Sequence, residues 1–347
     1  MKLLILTQKV DVKDPVLGFF HRWVVEFAKY FESIIVICLS EGEHSLPKNV
    51  RVLSLGKENG ESFFKYIRNF FRFIVCEREN YDAIFVHMNQ EYVLLGSVFW
   101  KIFGKKVTMW RNHHAGNFLT RTAVVMCDRV FCTSKFSYTA EFKKTVLMPV
   151  GIDTDIFNNQ SRIPRIQKSI LFLGRISPTK RPDLFIDAIK DLCDQGVYVT
   201  ATIVGDPLPK DIAYYESLKS KVHDYNLDSR IVFKKGVPNT ETVAIYNAHE
   251  IFVNLSSSGM YDKTIFEAMA CGTLSIASNE NLCGIIDKIL LFREGDRADL
   301  VEKLAGLLNL PTNSRVLLLN AQRKLVEDEH SLGSLGTKIQ KLIISIP

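Results

Sequence analysis

Residues 251–278 constrain the fold of this chain more than any other stretch. An apolar strand, Ile251–Leu255, ends in a small polar loop, and the loop opens into a short helix with Glu267 in its second turn. Gly272 stops the helix, and a second strand, Leu274–Ala277, follows. A β-loop-α-β unit of this kind is the building block of a parallel sheet. Open α/β sheets bind ligands in loops at the C-terminal ends of their strands. The helix N-terminus at such a loop offers unpaired N–H groups and a positive dipole end, which suits a phosphate. Either Asp262 or Thr264 can cap it. Ala268 and Ala270 let the helix lie close to its neighbours.

The rest of the chain repeats the alternation. Strands are expected at 2–7, 34–39, 50–53, 83–87, 106–110, 129–132 and 146–148. Helices are expected at 18–31, 62–75, 92–103, 118–127 and 134–142, and residues 8–17, with Pro15, read as a polar loop. Pro149–Gln167 has two prolines, many polar residues and no periodicity, which marks a linker over 151–167. A second alternation follows, with strands at 169–173, 197–204 and 231–233 and helices at 182–195, 212–225 and 240–247. From Asp296 the pattern is helical, with breaks expected at Pro311 and near Gly333–Gly336. The implied architecture is α/β: two Rossmann-like, doubly wound domains facing across a cleft, 1–150 and 168–328. Residues 329–347 form a last helix that can cross back to the first domain.

At 347 residues the chain has material for two cores. A net charge of +6 is compatible with an acidic substrate or an anionic surface, and too weak to argue nucleic acid. Seven cysteines without a CxxC pair fit reduced thiols in a cytoplasmic protein rather than a disulfide framework or a zinc site. Leu3–Leu6 reads as a first buried strand, too short for a signal sequence, and no run approaches the roughly 20 apolar residues of a membrane span. No GxGxxG or GxxxxGK[ST] is present, which counts against a dinucleotide oxidoreductase or a P-loop enzyme. Asp153-Thr154-Asp155 spells a DxD, but its place after Pro149-Val150-Gly151 suits turn and cap roles, and no metal site is expected.

Three places in the second half carry chemistry. Gly174–Lys180, GRISPTK, directly follows a strand: the glycine allows close backbone approach, and Arg175 and Lys180 place two cations at the strand's C-terminal end. Arg grips phosphate oxygens bidentately and Lys supplies a point charge. The second place is the helix start at Asp262–Thr264 with Glu267, and the third is Gly205-Asp206-Pro207 after another strand.

In order and spacing, GRISPTKRPDLFIDAIK, VPNTETVAIYNAHEIFVNLS and FEAMACGTLSIAS resemble the C-terminal half of family 4 glycosyltransferases, the glycosyl transferases group 1. The resemblance covers essentially the whole chain, most strongly residues 146–278. It implies a GT-B fold, with a nucleotide-sugar donor held by the second domain and an acceptor by the first. Arg175 and Lys180 match the family's phosphate-binding pair, and Glu267 matches its nucleotide-ribose carboxylate, a group able to accept from both vicinal hydroxyls. The family's usual second Glu falls at Gly259, which leaves the sugar to Gly259, Met260 and Tyr261 backbone N–H groups or to Asp262 and Lys263. In the first half, Gly18 opens a helix where the family carries a glycine-containing loop, and His113 follows a strand where the family carries a histidine near the transferring sugar. His114 is adjacent, and spacing from the strand favours His113. His87 reads as structural.

The function implied is retaining, metal-independent transfer of a sugar from a UDP- or GDP-linked donor to a hydroxyl of a glycan or lipid-linked acceptor, in cell-surface polysaccharide or glycolipid synthesis. No cofactor beyond the donor and no nucleic acid partner is expected. A non-hydrolysing sugar-nucleotide epimerase and an inactive nucleotide-sugar binding protein share the fold and stay open. Helix 62–78 shows Phe63, Phe64, Ile67, Phe70, Phe71 and Ile74 on one face, expected to pack on the sheet. The other reading is an interfacial helix on anionic headgroups, which would place a cytoplasmic enzyme peripherally at the inner face of the plasma membrane.

Overall fold

The computed structural model describes residues 1–14, 16–159, 163–259 and 261–346. Pro15, residues 160–162 of the linker, Met260 and Pro347 lie outside the described residues. The chain divides into two compact units, Met1–Gly151 with Leu332–Pro347, and Ile152–Ser331.

The first unit is built on β1 (Lys2–Val10), β2 (Ser33–Glu41), β3 (Val50–Ser54), β4 (Ala83–His87), β5 (Lys106–Trp110), β6 (Arg129–Cys132) and β7 (Thr145–Leu147). All pair in parallel, in the order β3-β2-β1-β4-β5-β6-β7. Leu3–Leu6 has no exposed surface because helices cover both faces of the sheet. β1 runs past the expected Thr7 to Val10, because Lys9 pairs with Ser40 and Val10 with Glu41 of β2.

One face of the sheet is covered by α2 (Phe63–Cys76), α3 (Gln90–Ile102) and α4 (Phe118–Met126). They bury Phe70, Ile74, Val93, Trp100, Ala123 and Val124. Asn117 caps α4 with a reciprocal pair of bonds: Thr120 N–H donates to its Oδ1 at 3.0 Å, and its own N–H donates to Thr120 Oγ1 at 3.1 Å. The apolar face expected for α2 is only partly buried. Phe70 and Ile74 pack inward, while Phe63 and Phe64 in the first turn are exposed. Residues 134–142 hold only a short turn of 3₁₀ helix, Tyr138–Glu141, instead of the expected helix.

The opposite face is covered by α1 (Gly18–Phe27), which ends four residues before the expected boundary, and by α11 (Leu332–Ile344). Phe20, Trp23 and Phe27 of α1 meet Leu335, Ile339 and Ile343 of α11. The break expected near Gly333–Gly336 is absent: both glycines lie within α11. A Cβ at Gly336 would fall 2.5 Å from the Tyr30 ring, so the glycine serves close packing rather than helix termination. The interruption falls earlier, at Ser331 after a π-helical turn, Val326–His330.

The second unit carries β8 (Ser169–Leu173), β9 (Thr200–Val204), β10 (Ile231–Lys234), β11 (Ile251–Asn254) and β12 (Leu274–Ala277), parallel in the order β10-β9-β8-β11-β12. Its helices are α5 (Pro182–Asp194), α6 (Ile212–Asp224), α7 (Thr242–Ala248), α8 (Lys263–Ala270), α9 (Arg297–Leu308) and α10 (Thr312–Leu325). α5, α6 and α9 pack Phe185, Ile189, Leu218, Val222 and Leu304 into one apolar core with the strands. At edge strand β12, Gln322 takes the part of a further strand: its Oε1 accepts from Ser275 N–H at 3.0 Å and its Nε2 donates to Ser275 O at 2.7 Å. Among the described residues no helix is long and apolar enough to cross a membrane.

Candidate active site

Two strand ends of the second unit approach closely where β8 and β9 finish. Gly174 N–H donates to Val204 O at 3.0 Å. Gly205 adopts φ +152°, and a Cβ there would fall 1.9 Å from Gly174 O, so only glycine permits the approach. The chain then makes a 3₁₀ turn, Pro178–Lys180, and Arg181, in the left-handed region at φ 54°, leads into α5. Arg175 is exposed, with no hydrogen-bond or ion-pair partner among the described residues, so its guanidinium keeps all five donors for a ligand.

Lys180 is already engaged. Its Nζ donates to Asp262 Oδ2 at 2.5 Å and to Ser256 Oγ at 3.0 Å. An ammonium has three N–H donors, so one remains. Asp262 is the N-cap of α8, with Thr264 N–H donating to its Oδ1 at 3.4 Å. Its Oδ2 also accepts from Ser256 Oγ at 3.0 Å and Asn254 Nδ2 at 3.2 Å. Asn254, the last residue of β11, donates in addition to Thr264 Oγ1 at 3.3 Å. Burial alone would raise the Asp262 carboxyl. The Lys180 charge and the hydrogen bonds from Lys180, Thr264 and Ser256 override it and hold the group well below the usual carboxylate range.

One turn into α8, Glu267 is 4% exposed. Asn239 Nδ2 donates to its Oε1 at 3.0 Å, and Tyr246 OH donates to its Oε2 at 3.1 Å. Both oxygens are fixed, and each keeps a further acceptor position. Burial pushes the Glu267 carboxyl up, against the Asn239 bond, the Lys263 charge and the Tyr246 bond. Burial pushes Lys263, half-buried at the first position of α8, down to about 7, against the pull of Glu267.

The loop before α8 is pinned from the far side of β12. Asn281 Nδ2 donates to Ser258 O at 2.7 Å, Glu280 N–H donates to Ser258 Oγ at 2.9 Å, and Tyr261 OH donates to Asn281 O at 2.9 Å. Gly259 sits in the turn so held. Tyr261 meets Phe266 edge-on at 5.0 Å and His330 at 6.0 Å.

The remaining candidates belong to the first unit. Gly18 is buried at the start of α1, where its N–H donates to Asp14 O at 2.9 Å. His113 is exposed in the loop after β5 and stacks on His114 at 4.5 Å. Ala115 N–H lies 2.9 Å from His113 Nδ1, and Ala115 O lies 3.1 Å from the same nitrogen. His87 is 2% exposed, stacked on Phe20 at 3.9 Å with its Nδ1 3.2 Å from Thr7 Oγ1. Asp153 and Asp155 form a turn, with Asp155 N–H donating to Asp153 Oδ1 at 3.2 Å.

The structure thus joins Lys180, Asp262 and Thr264 in one hydrogen-bonded cluster and sets Glu267 and Lys263 on the same helix. Residues 153–325 match the family model described as glycosyl transferases group 1. The chain belongs to the glycosyl transferases group 1. The D-inositol 3-phosphate glycosyltransferase of Mycolicibacterium smegmatis is 30% identical over 136 residues, covering 37% of this chain and 30% of that protein. The protein of the same name from Kineococcus radiotolerans is 26% identical over 154 residues, covering 41% and 35%. The matched segment spans only these shares, 30% and 35%, of the length of these curated relatives. The crystal structure of Anabaena HepE in complex with UDP superposes with a TM-score of 0.79 at 18% identity, over 99% of this chain and 100% of that one. Sucrose-phosphate synthase from Thermosynechococcus elongatus superposes with a TM-score of 0.77 at 17% identity, over 99% and 98%. The fold of this group 1 chain is GT-B.

Asn239, Tyr246, Asn254 and Ser256 escaped sequence reasoning. Asn254 and Ser256 stand in the stretch that organises the second unit, and their polarity at the end of an apolar strand was the available signal. Asn239 and Tyr246 lie 28 and 21 residues before Glu267 and reach it only through folding.

Proposed function

We propose that this chain transfers a sugar from a UDP- or GDP-linked donor to a hydroxyl of a glycan or lipid-linked acceptor, with retention at the anomeric carbon and without a metal. The observation that carries the reading is the pair of preset groups gathered at one helix: Lys180, from the turn before α5, anchored by Asp262 at the α8 N-terminus, and Glu267 of α8 fixed at both oxygens. When the donor bond breaks, negative charge gathers on the nucleotide diphosphate. Arg175, the remaining N–H of Lys180 and the positive end of α8 stabilise that charge. Glu267 accepts from the two ribose hydroxyls, with Asn239 and Tyr246 holding it in place. Gly174 lets the donor approach the backbone closely, and Gly259, Tyr261, Asp262, Lys263 and Thr264 line the sugar end. Met260 belongs to the same proposed segment. The HepE complexes with UDP and with UDP-glucose support a uridine donor by analogy of fold.

In the first unit, which we assign to the acceptor, Gly18 and His113 complete the proposed set. His113, exposed in the loop after β5, is the proposed partner of a sugar hydroxyl. The same reading places the enzyme in cell-surface polysaccharide or glycolipid synthesis at the cytoplasmic side of a membrane.

The test is a thermal-shift panel of UDP-, GDP-, ADP- and CMP-sugars with a chelator present, repeated on Arg175→Ala. Saturation at ~100 Kd adds about 2.7 kcal/mol of stability. A shift with UDP- or GDP-sugars, lost in the variant, supports the donor assignment. Binding abolished by the chelator overturns metal independence. Binding followed by interconversion of the nucleotide-sugar without an acceptor would mark an epimerase instead.

A further inference from the structure

Three neighbouring strands of the first unit each end beside a buried polar atom that has no partner among the described residues. β4, β5 and β6 lie next to one another, with His87 opposite Trp110 and Trp110 opposite Phe131. Just past them, Met88 N–H donates to Trp110 O at 2.8 Å, Arg111 N–H to Phe131 O at 2.9 Å, and Thr133 N–H to Asn112 Oδ1 at 3.3 Å. Met88 adopts φ 70°, a conformation that residues other than glycine seldom take and that concentrates at functional loops. At these strand ends stand Gln90, 8% exposed at the start of α3, the half-buried Arg111, and Thr133, 7% exposed. Gln90 Oε1, Arg111 Nη1 and Thr133 Oγ1 are buried and make no hydrogen bond among the described residues.

Buried polar atoms are ordinarily paired, so three orphans on adjacent strand ends call for a partner from outside the chain. Arg111 narrows its chemistry. Its Nη2 donates to Ala115 O at 3.0 Å, which leaves Nη1 unused. Burial lowers the guanidinium from its ordinary value, against the influence of Glu91, exposed in the first turn of α3, and of Tyr138. Neither forms an ion pair with it, and among the described residues Arg111 has no ion-pair partner. A cation so placed is costly until a counter-charge reaches it. Gln90 Oε1 only accepts, and Thr133 Oγ1 donates or accepts. Water satisfies an amide or a hydroxyl, but only an anion neutralises a guanidinium. The matching ligand carries an anionic oxygen for Arg111 and hydroxyl hydrogens for the other two.

We infer that the acceptor taken by the first unit is an acidic sugar, whose carboxylate or phosphate group pairs with Arg111 while its hydroxyls meet Gln90 and Thr133. Open α/β sheets hold their ligands outside the C-terminal ends of the strands, where these three residues stand. A guanidinium suits either anion, since it grips both through parallel N–H groups. The inference rests on the reading of the chain as a glycosyltransferase with its acceptor in the first unit, and deepens it by fixing the charge of that acceptor.

The experiment is a saturation-transfer NMR titration of the full chain, at constant ionic strength, with hexuronates, hexose phosphates and the parent neutral hexoses. One of the two acidic classes is expected to bind about tenfold or more tighter than the neutral sugars, and which one does so identifies the anion. Arg111→Gln is expected to erase that preference and leave neutral-sugar binding within about twofold. Arg175→Ala is expected to keep the preference, which separates this site from anion binding by the second unit. Thr133→Val, close in shape, is expected to weaken the acidic sugars about threefold to tenfold without lowering Tm, and carries the test if Arg111→Gln does not fold. Equal binding of acidic and neutral sugars, binding of none, or a preference that survives Arg111→Gln overturns the inference. So does a preference lost in Arg175→Ala, because the anion would then belong to the second unit. The transfer reading is judged separately by the nucleotide-sugar panel, whose shifts Arg111→Gln is expected to leave unchanged.

Discussion

The two units share one topology and use it differently. β3-β2-β1-β4-β5 in the first and β10-β9-β8-β11-β12 in the second follow the same strand order, with two strands added in the first. At the strand ends of the second unit, charged groups are locked by their neighbours: Lys180 by Asp262 and Ser256, Glu267 by Asn239 and Tyr246. At the corresponding ends of the first unit the loops expose His113 and the aromatic first turns of α2 and α4. The shared sheet therefore fixes where a site can form, and the loop side chains decide whether it is preset or open. A preset cluster suits a ligand of constant shape, such as a nucleotide diphosphate, because rigid donors lose little on binding.

Four experiments break or sharpen that contrast. Arg175→Ala is expected to lower kcat by roughly 10²–10³-fold, the effect of removing one donor to a developing anion, with Tm unchanged because the side chain is exposed. A loss under threefold in steady-state kinetics would remove Arg175 from the proposed chemistry.

Asp262→Asn is expected to destabilise the fold by about 1–3 kcal/mol in urea unfolding, because Lys180 loses its charged acceptor. The pH dependence gives a second check. The folded carboxyl lies below its unfolded value, so its contribution is complete above about pH 4 and is lost as pH falls below that. The variant's acid limb of stability against pH should be correspondingly shallower. An unchanged limb would mean the ion pair is not formed in solution.

Tyr246→Phe removes one bond to Glu267 and leaves the ring packing against Phe252 and Phe157. The donor KM is expected to rise about tenfold, the value of ~1.4 kcal/mol, with kcat within threefold. A fall in kcat at constant KM would show that Glu267 acts in the transition state rather than in donor binding.

The smallest effect is expected in the first unit. Phe64→Ser should change stability by less than about 0.5 kcal/mol in the same urea assay, since the side chain faces solvent. A cost above ~2 kcal/mol would place Phe64 in the core and remove the exposed face.

The alternation of apolar strands and periodic helices determined the α/β class, because a parallel sheet buried on both faces needs that pattern and few others satisfy it. The same logic put Arg175, Lys180 and Glu267 at strand ends and on a helix N-terminus, since those placements follow from residues near in sequence. What failed in the sequence reading was what depends on a distant neighbour. Val10 joined β1 because Glu41 pairs with it, and Gly336 stayed helical because Tyr30 lies against it. Phe63 and Phe64 belong to the apolar pattern that buries Phe70 and Ile74, yet both are exposed in the first turn of α2. The partners that fix Glu267 and Lys180 come from other elements, and hydrogen bonds across tens of residues leave no periodic trace in a sequence. Composition and spacing chose the scaffold and its candidate groups, and tertiary contact alone decided which of those groups were locked, because a side chain's partner is set by where its backbone is carried.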